Sequence, residues 1–273
     1  MSLNSVTNES ILEMFIESVG NLIDKVNSDT WQSEKESTRA VQLLSAVDTI
    51  TEKLSDNLTP GEQRNFTNSN IALLAQTVTG SVFVYPDENV DVDWLKTTRS
   101  EIKWQLQSSA DVAESFIATA VVYRNLNGIL PNTYSKSTGS GIADGSESTD
   151  ENTINGPVLA MTIPSQQSEV LESSISITVE HHYSGLSAPL CVFWQYTSES
   201  QGLWSDDGCA LVTTSNDVTV CECSHLTNFA VLMSPIKQKD QSAWDLRIIS
   251  IVCLSLSILC LVATIVVHVT FWK

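Results

Sequence analysis

The sequence predicts an α+β protein: a short helical region, then an antiparallel β-sandwich, then one membrane-crossing helix. Three observations carry this. Helical spacing of apolar residues, at three and four, dominates the first 58 residues. After Gly61 the apolar residues gather instead into short runs rich in Val, Ile and aromatics, separated by turn residues. From Ile248 to Trp272, 25 residues contain no Asp, Glu, Lys or Arg.

Taken in order, Ser10-x-x-Glu13 reads as a capping box that starts a helix carrying Ile11, Leu12, Phe15, Val19, Leu22, Ile23 and Val26 on one face. Ser33-x-x-Glu36 repeats the device before Ala40, Val41, Leu44, Val47, Ile50 and Leu54, and Pro60-Gly61 closes the helical region. Both stripes read as packing faces. Strands are predicted over 81–85, 102–106, 117–123, 158–163, 175–180, 190–196, 210–214, 218–222 and 229–233. Many short strands without helices between them imply an antiparallel sandwich. The stretch Ser135 to Gly156 is polar, acidic and rich in Gly and Ser, so it reads as a flexible loop, and it lacks the lysine of a phosphate-binding loop. Asp87, Glu88, Asp91 and Asp93 lack the spacing of a calcium loop. His181 and His182 are adjacent on a strand and point to opposite faces, which does not make a metal pair. No metal and no cofactor are expected.

Charge divides the chain more sharply than length does. Of 273 residues, 14 are Lys or Arg and 32 Asp or Glu, for a net charge of −18. Nucleic acid is therefore not a partner, because binding it needs a basic face that neutralises phosphates. The acidic excess lies entirely in residues 1–235, while residues 236–273 carry four basic and two acidic side chains. Within the latter, 236–247 reads as a juxtamembrane linker and 248–272 as a transmembrane helix, with Trp244 and Trp272 near the two interfaces. The start, MSLNSVTNESILEMF, has no basic segment followed by an apolar one, so no secretory signal peptide is read there. Either the natural start lies further upstream or the C-terminal span is itself the export signal.

Cysteine usage places the large domain outside the cell. Cys191, Cys209, Cys221 and Cys223 cluster in an otherwise Cys-free domain, and the remaining two, Cys253 and Cys260, lie in the apolar span. A local even-numbered cluster predicts two disulfides and an oxidising compartment, with three connectivities formally possible. The sequons at Asn8, Asn57 and Asn65 agree with export, although Pro60 makes Asn57 a poorer glycosylation acceptor.

The stretch from Cys191 to Met233 carries the chemistry. Cys221-x-Cys223 puts both thiols on one face of a strand, within reach of different partners, and Trp194 and Trp204 can pack around the hairpin. His225 then precedes Thr227 by two residues. A hydroxyl becomes a nucleophile when a base takes its proton, and an imidazole does this at neutral pH. Held against the carbonyl carbon of Leu226, the Thr227 hydroxyl would attack within its own chain, where effective molarities reach about 10⁵–10⁸ M. An ester forms and is then hydrolysed. Cys221, Cys223 and His225 are a rival set of zinc ligands, but the set lacks a fourth member and exported thiols are oxidised.

The order Cys191-x-x-Trp194, Trp204, Cys209, Cys221-x-Cys223, Ser224-His225-Leu226-Thr227-Asn228-Phe229-Ala230-Val231-Leu232-Met233 resembles the proteolysis site (GPS motif, 191–233) of adhesion G-protein-coupled receptors, most of all the latrophilin group. The resemblance implies a GAIN-type autoproteolysis-inducing domain: residues 1–58 as the last helices of its helical subdomain and 59–235 as its β-sandwich subdomain. Residues 248–272 would be the first of seven membrane helices. It implies the disulfides Cys191–Cys221 and Cys209–Cys223, His225 as general base, Thr227 as nucleophile and a cut between Leu226 and Thr227. The reaction is intramolecular and single-turnover, unlike that of a conventional enzyme. The two pieces stay associated, and the strand from Thr227 serves as a tethered agonist through Phe229, Leu232 and Met233. Implied partners are the membrane, an extracellular protein or matrix ligand, and the cleavage fragments themselves. A G protein would engage only through helices that this sequence lacks, so the chain as given should not signal. The location implied is the plasma membrane, with the large domain outside. A single-span adhesion or decoy protein that uses the domain only for binding is the alternative.

Overall fold

The computed structural model describes residues 9–24, 34–87, 90–106, 115–132, 134–135, 152–163, 173–198, 201–235 and 241–271. Asn8, Glu88, Trp272 and most of the Gly/Ser-rich stretch fall outside them. Residues 1–235 form one compact unit and 236–273 another.

Two helices open the first unit. Helix α1 (Glu9–Leu22) buries Leu12, Ile16 and Val19, and α2 (Glu34–Asn57) buries Val41, Leu44, Val47 and Leu54. The α2 stripe is buried as read from the three-and-four spacing. Of the first helical stripe, Leu12, Val19 and Ile23 are buried as read, Ile11 and Phe15 are half-buried, and Leu22 is exposed; Ile16, which the reading left out, is buried, and Val26 lies outside the described residues. Among the described residues fourteen strands follow: β1 (Gln63–Thr67), β2 (Ile71–Val78), β3 (Val82–Tyr85), β4 (Glu101–Leu106), β5 (Phe116–Tyr123), β6 (Tyr134–Ser135), β7 (Thr153–Ile154), β8 (Val158–Thr162), β9 (Ser173–Glu180), β10 (Leu186–Ser198), β11 (Gln201–Ser205), β12 (Cys209–Thr214), β13 (Val218–Cys223) and β14 (Asn228–Pro235).

They make two sheets. One runs β1-β2-β5-β8-β14-β10-β11-β6, with β7 also paired to β14; the other runs β12-β13-β9-β4-β3. Pairings are antiparallel except β11 with β6, which is parallel. Three departures from the sequence reading stand out. Helix α3 (Asp93–Thr97) interrupts the run of strands, and the strand set includes β1, β2, β6, β7 and β11, which the reading omitted. The parallel pair is the third.

Two apolar cores explain why the large sheet reads as nearly continuous hydrophobic sequence. On one face Ile71, Leu73, Val121, Trp194, Trp204, Ala230 and Leu232 pack with the helices; on the other Leu74, Val122, Leu159, Phe229, Val231 and Met233 pack with Ile102, Trp104, Ile175 and Ile177 of the small sheet. The domain thus has three layers: helices, large sheet, small sheet. A strand covered on both faces has no polar alternation to display. That is the condition of β2, β5 and β14, each buried over most of its length.

In the second unit, α4 (Gln241–Phe271) is a helix of 31 residues. Side chains from 250 to 266 are described and all are exposed, among them Ile251, Leu254, Ile258, Leu261 and Ile265. Among the described residues no helix is long and apolar enough to cross a membrane.

Candidate functional site

The four clustered cysteines fix the frame of the site. Cys191 on β10 is bonded to Cys221 on β13, which ties the large sheet to the small one. Cys209 and Cys223 sit directly opposite each other on β12 and β13 and are bonded across that pair. With all four sulfurs in disulfides, neither Cys221 nor Cys223 offers a thiolate to zinc. The pairing agrees with the one the resemblance implied.

From Cys223 the chain turns through Ser224-His225-Leu226-Thr227 and enters β14 at Asn228. The turn is tied at its start by the Ser224 amide, which donates to the Gly208 carbonyl at 2.9 Å. Gly208 has φ +72°, a backbone region that a side chain resists, and a Cβ there would stand 2.6 Å from Ser224 Oγ and 3.2 Å from His225 Nδ1. No other residue type leaves that room for the imidazole. At the far end the Met161 amide donates to the Thr227 carbonyl at 3.2 Å, and the Thr227 hydroxyl donates to the Trp194 carbonyl at 3.3 Å. Thr227 is therefore anchored on β8 and on β10 at once.

His225 lies edge-on to Phe193, with ring centroids 4.0 Å apart, and 6.0 Å from Phe229. Its Nε2 is enclosed and has no hydrogen-bond partner among the described residues. Burial lowers its pKa from the usual 6.5, and the nearby Asp207 carboxylate opposes that only in part. At neutral pH the ring is thus uncharged and keeps a lone pair, as a general base must. Leu226 is half-buried and packs against the core between the sheets.

Other residues from the sequence reading are placed as follows. Phe229 and Met233 point into the core between the sheets, and Leu232 points to the helix side of β14. All three are buried. Asn57 and Asn65 are exposed, and the Asn57 side-chain amide donates to the Lys53 carbonyl at 2.7 Å. Sequence reasoning passed over Gly208, Phe193 and Asp48. Gly208 was the most findable, since Asp207-Gly208 is a turn signal beside a cysteine. Asp48 gave no signal at all on its helix, yet its carboxylate accepts from the Asn228 side chain at 3.0 and 2.9 Å.

Comparison with known proteins places this geometry. The family described as "GPS: GAIN subdomain B" matches residues 52–237. Adhesion G protein-coupled receptor L4 of Rattus norvegicus is 28% identical over 91% of this chain and 35% of its own length. Adhesion G protein-coupled receptor B3 of Mus musculus is 24% identical over 96% of this chain and 17% of its own. Adhesion G-protein coupled receptor F1 of Mus musculus is 35% identical over 44% of this chain and 12% of its own. Among solved structures, the full extracellular region of zebrafish Gpr126/Adgrg6 aligns with a TM-score of 0.48 at 17% identity, covering 83% of this chain and 32% of that one. The chain spans about a third or less of the length of these relatives. With the family match covering most of its sandwich and all of the cysteine-framed turn, the chain belongs to the GPS family of GAIN subdomain B and has adhesion G-protein-coupled receptors among its homologues.

Proposed function

We propose that residues 1–235 are the extracellular, self-cleaving regulatory domain of an adhesion G-protein-coupled receptor, cut between Leu226 and Thr227. The observation that supports this best is an enclosed His225 Nε2, without a hydrogen-bond partner among the described residues, two positions before a Thr227 whose carbonyl accepts from Met161 and whose hydroxyl donates to the Trp194 carbonyl. His225 removes the hydroxyl proton as Oγ1 attacks the carbonyl carbon of Leu226. The tetrahedral adduct collapses with loss of the Thr227 nitrogen, which takes the proton back from the imidazolium and becomes a free amine. Leu226 is left as an ester on Thr227. Water then cleaves that ester to a Leu226 carboxylate and restores the hydroxyl. The domain acts once on itself.

After the cut, β14 belongs to the smaller piece but stays hydrogen-bonded to β10, β8 and β7. The fragments accordingly remain together, and the strand from Thr227, with Phe229, Leu232 and Met233, is a tethered agonist hidden until the larger piece is withdrawn. We assign 248–272 to a membrane crossing, 236–247 to the linker before it, and the large domain to the outside of the plasma membrane, where Asn8, Asn57 and Asn65 can be glycosylated. An extracellular protein or matrix ligand would pull on the domain, and a G protein would engage only through further helices.

The test is direct. Expressed through a secretory pathway, the full chain runs as two pieces on a denaturing gel, and sequencing of the smaller piece starts at Thr227. Thr227→Ala stays whole. An unprocessed wild-type chain, indistinguishable from Thr227→Ala, would overturn the reading.

A further inference from the structure

One polar cluster lies on the helix side of β14, in a layer filled mainly by apolar side chains. Asp48, midway along α2, is half-buried, and no Lys, Arg or His pairs with it among the described ion pairs. Its carboxylate is met by neutral donors instead. Tyr196 Oη donates to Oδ2 at 2.6 Å, and Asn228 Nδ2 donates to both oxygens at 3.0 and 2.9 Å. A carboxylate can only accept, so the Asn228 amide must turn its nitrogen toward Asp48. Its Oδ1 is left buried with no partner among the described residues. Burial raises the Asp48 pKa, and the bonds from Tyr196 and Asn228 offset this only in part. A carboxylate held this way costs stability rather than adding to it, so packing does not account for its place.

What the cluster does control is position. Asn228 is the residue after Thr227, and its side chain is gripped on α2 while its backbone pairs with Ala160 of β8. Thr227 is gripped from Trp194 on β10, two residues before Tyr196. Asp48 thus joins α2, β10 and the first residue of β14 at one carboxylate. Resting on the cleavage reading above, we propose that Asp48 is a positioning residue for the cut: by holding the Asn228 amide and the Tyr196 hydroxyl it fixes where Thr227 stands relative to the Leu226 carbonyl. It touches neither reacting atom. After the cut the Asp48–Asn228 contact joins two separate chains.

The pair can be taken apart and rebuilt. The full chain is pulse-labelled in a secretory host and the cut fraction followed on denaturing gels, with the melting temperature of the secreted protein as a control. Asn228→Asp sets two carboxylates face to face, and Asp48→Ala removes the grip. Each is expected to slow cutting by about 10- to 100-fold, the scale of a small misplacement of reacting groups. Asp48→Ala should do so with little change in melting temperature. The exchanged pair, Asp48→Asn with Asn228→Asp, restores a donor facing an acceptor and should recover cutting to within about threefold of wild type, a recovery that a loss of general stability would not give. Cutting by Asp48→Ala at the wild-type rate, or an exchanged pair no faster than Asn228→Asp alone, overturns the proposal. Should wild type itself stay whole, the cleavage reading falls separately. The grip is then judged by amide hydrogen exchange over 228–233 in the Thr227→Ala chain: a rise of about tenfold or more on adding Asp48→Ala supports it, and unchanged exchange overturns it.

Discussion

The two faces of β14 are built on opposite principles. Toward the small sheet, Phe229, Val231 and Met233 meet a mainly apolar layer beside the Cys191–Cys221 bridge. Its polar neighbours among the described contacts are the Asn155 amide, which donates to Met233 Sδ at 3.0 Å, and the His225 ring, 6.0 Å from Phe229. Toward the helices, Ala230 and Leu232 share the layer with Asn228 and its carboxylate partner Asp48. Burial of the first kind is strong and non-directional, so it holds the strand without telling it where to stop along its length. Hydrogen bonds to a buried carboxylate add little net stability but demand one geometry. One face retains the strand, and the other sets its place.

Substitutions that break the apolar face should have the largest effects on stability. Phe229→Ala on one side and Leu232→Ala on the other are expected to lower unfolding free energy by about 3–5 and 2–5 kcal/mol, read by chemical denaturation of the secreted domain. Leu232 lies on the face of β14 away from His225, so in Leu232→Ala cutting should fall less than stability does, whereas Phe229, whose ring lies 6.0 Å from that of His225, should affect both. Opening the disulfides comes next. Loss of Cys209–Cys223, which spans 14 residues of sequence, is worth about 3 kcal/mol by loop closure, and loss of Cys191–Cys221, which spans 30, about 3.5 kcal/mol. The second should also loosen the junction of the two sheets, seen as faster hydrogen exchange in both β10 and β13.

Gly208→Ala reverses that balance. The added methyl meets Ser224 Oγ and crowds His225 Nδ1, and the left-handed φ adds about 1–2 kcal/mol of strain. Cutting should therefore drop further than stability alone explains, as a pulse-chase gel beside a melting curve would show. Gly202→Ala presses on the site from β11, through the residue whose carbonyl accepts from the Thr227 hydroxyl. Its methyl would strike the Trp194 ring at 2.5 Å, an overpacking cost of about 1–3 kcal/mol.

The smallest effects are those of pH, and they carry opposite signs. His225 is held below 6.5 in the fold, so the unfolded chain takes the proton first and stability falls as pH drops through 6.5 toward the folded value. The acid limb of the cutting rate should accordingly have its midpoint below 6.5. Asp48 is held above its ordinary 3.8. Its contribution is greatest below that value and is lost as pH rises through the folded one. The melting temperature of Asp48→Asn relative to wild type should climb between about pH 4 and 7; a flat difference would mean that the Asp48 carboxylate is not desolvated.

Several parts of this arrangement were legible in the residue order. Helices α1 and α2 announced themselves because each buries one stripe and leaves the rest to water. The cysteines, His225 and Thr227 were legible through a long motif whose spacing is unusual. Strand β2 was not: Ile-Ala-Leu-Leu-Ala-Gln-Thr-Val is buried on both faces, and a run that short, with helix-forming Ala and Leu, has no period to distinguish it. Strand β11 was hidden by Gly202, its second residue, whose missing side chain leaves room for the Trp194 ring.

Sequence by itself determined the local choices: two amphipathic helices, a disulfide-framed turn, a histidine two residues before a threonine, and an apolar segment near the C-terminal end. These depend on neighbours a few residues away. What only the tertiary structure decided was the partner of each group. Asp48 lies 180 residues from Asn228, and on the sequence it is one more acid among 32. Its meaning arises because the helices fold onto the one face of the sheet that carries the strand after Thr227. Contacts of that separation are set by which surfaces must leave water together, and residue order does not state them.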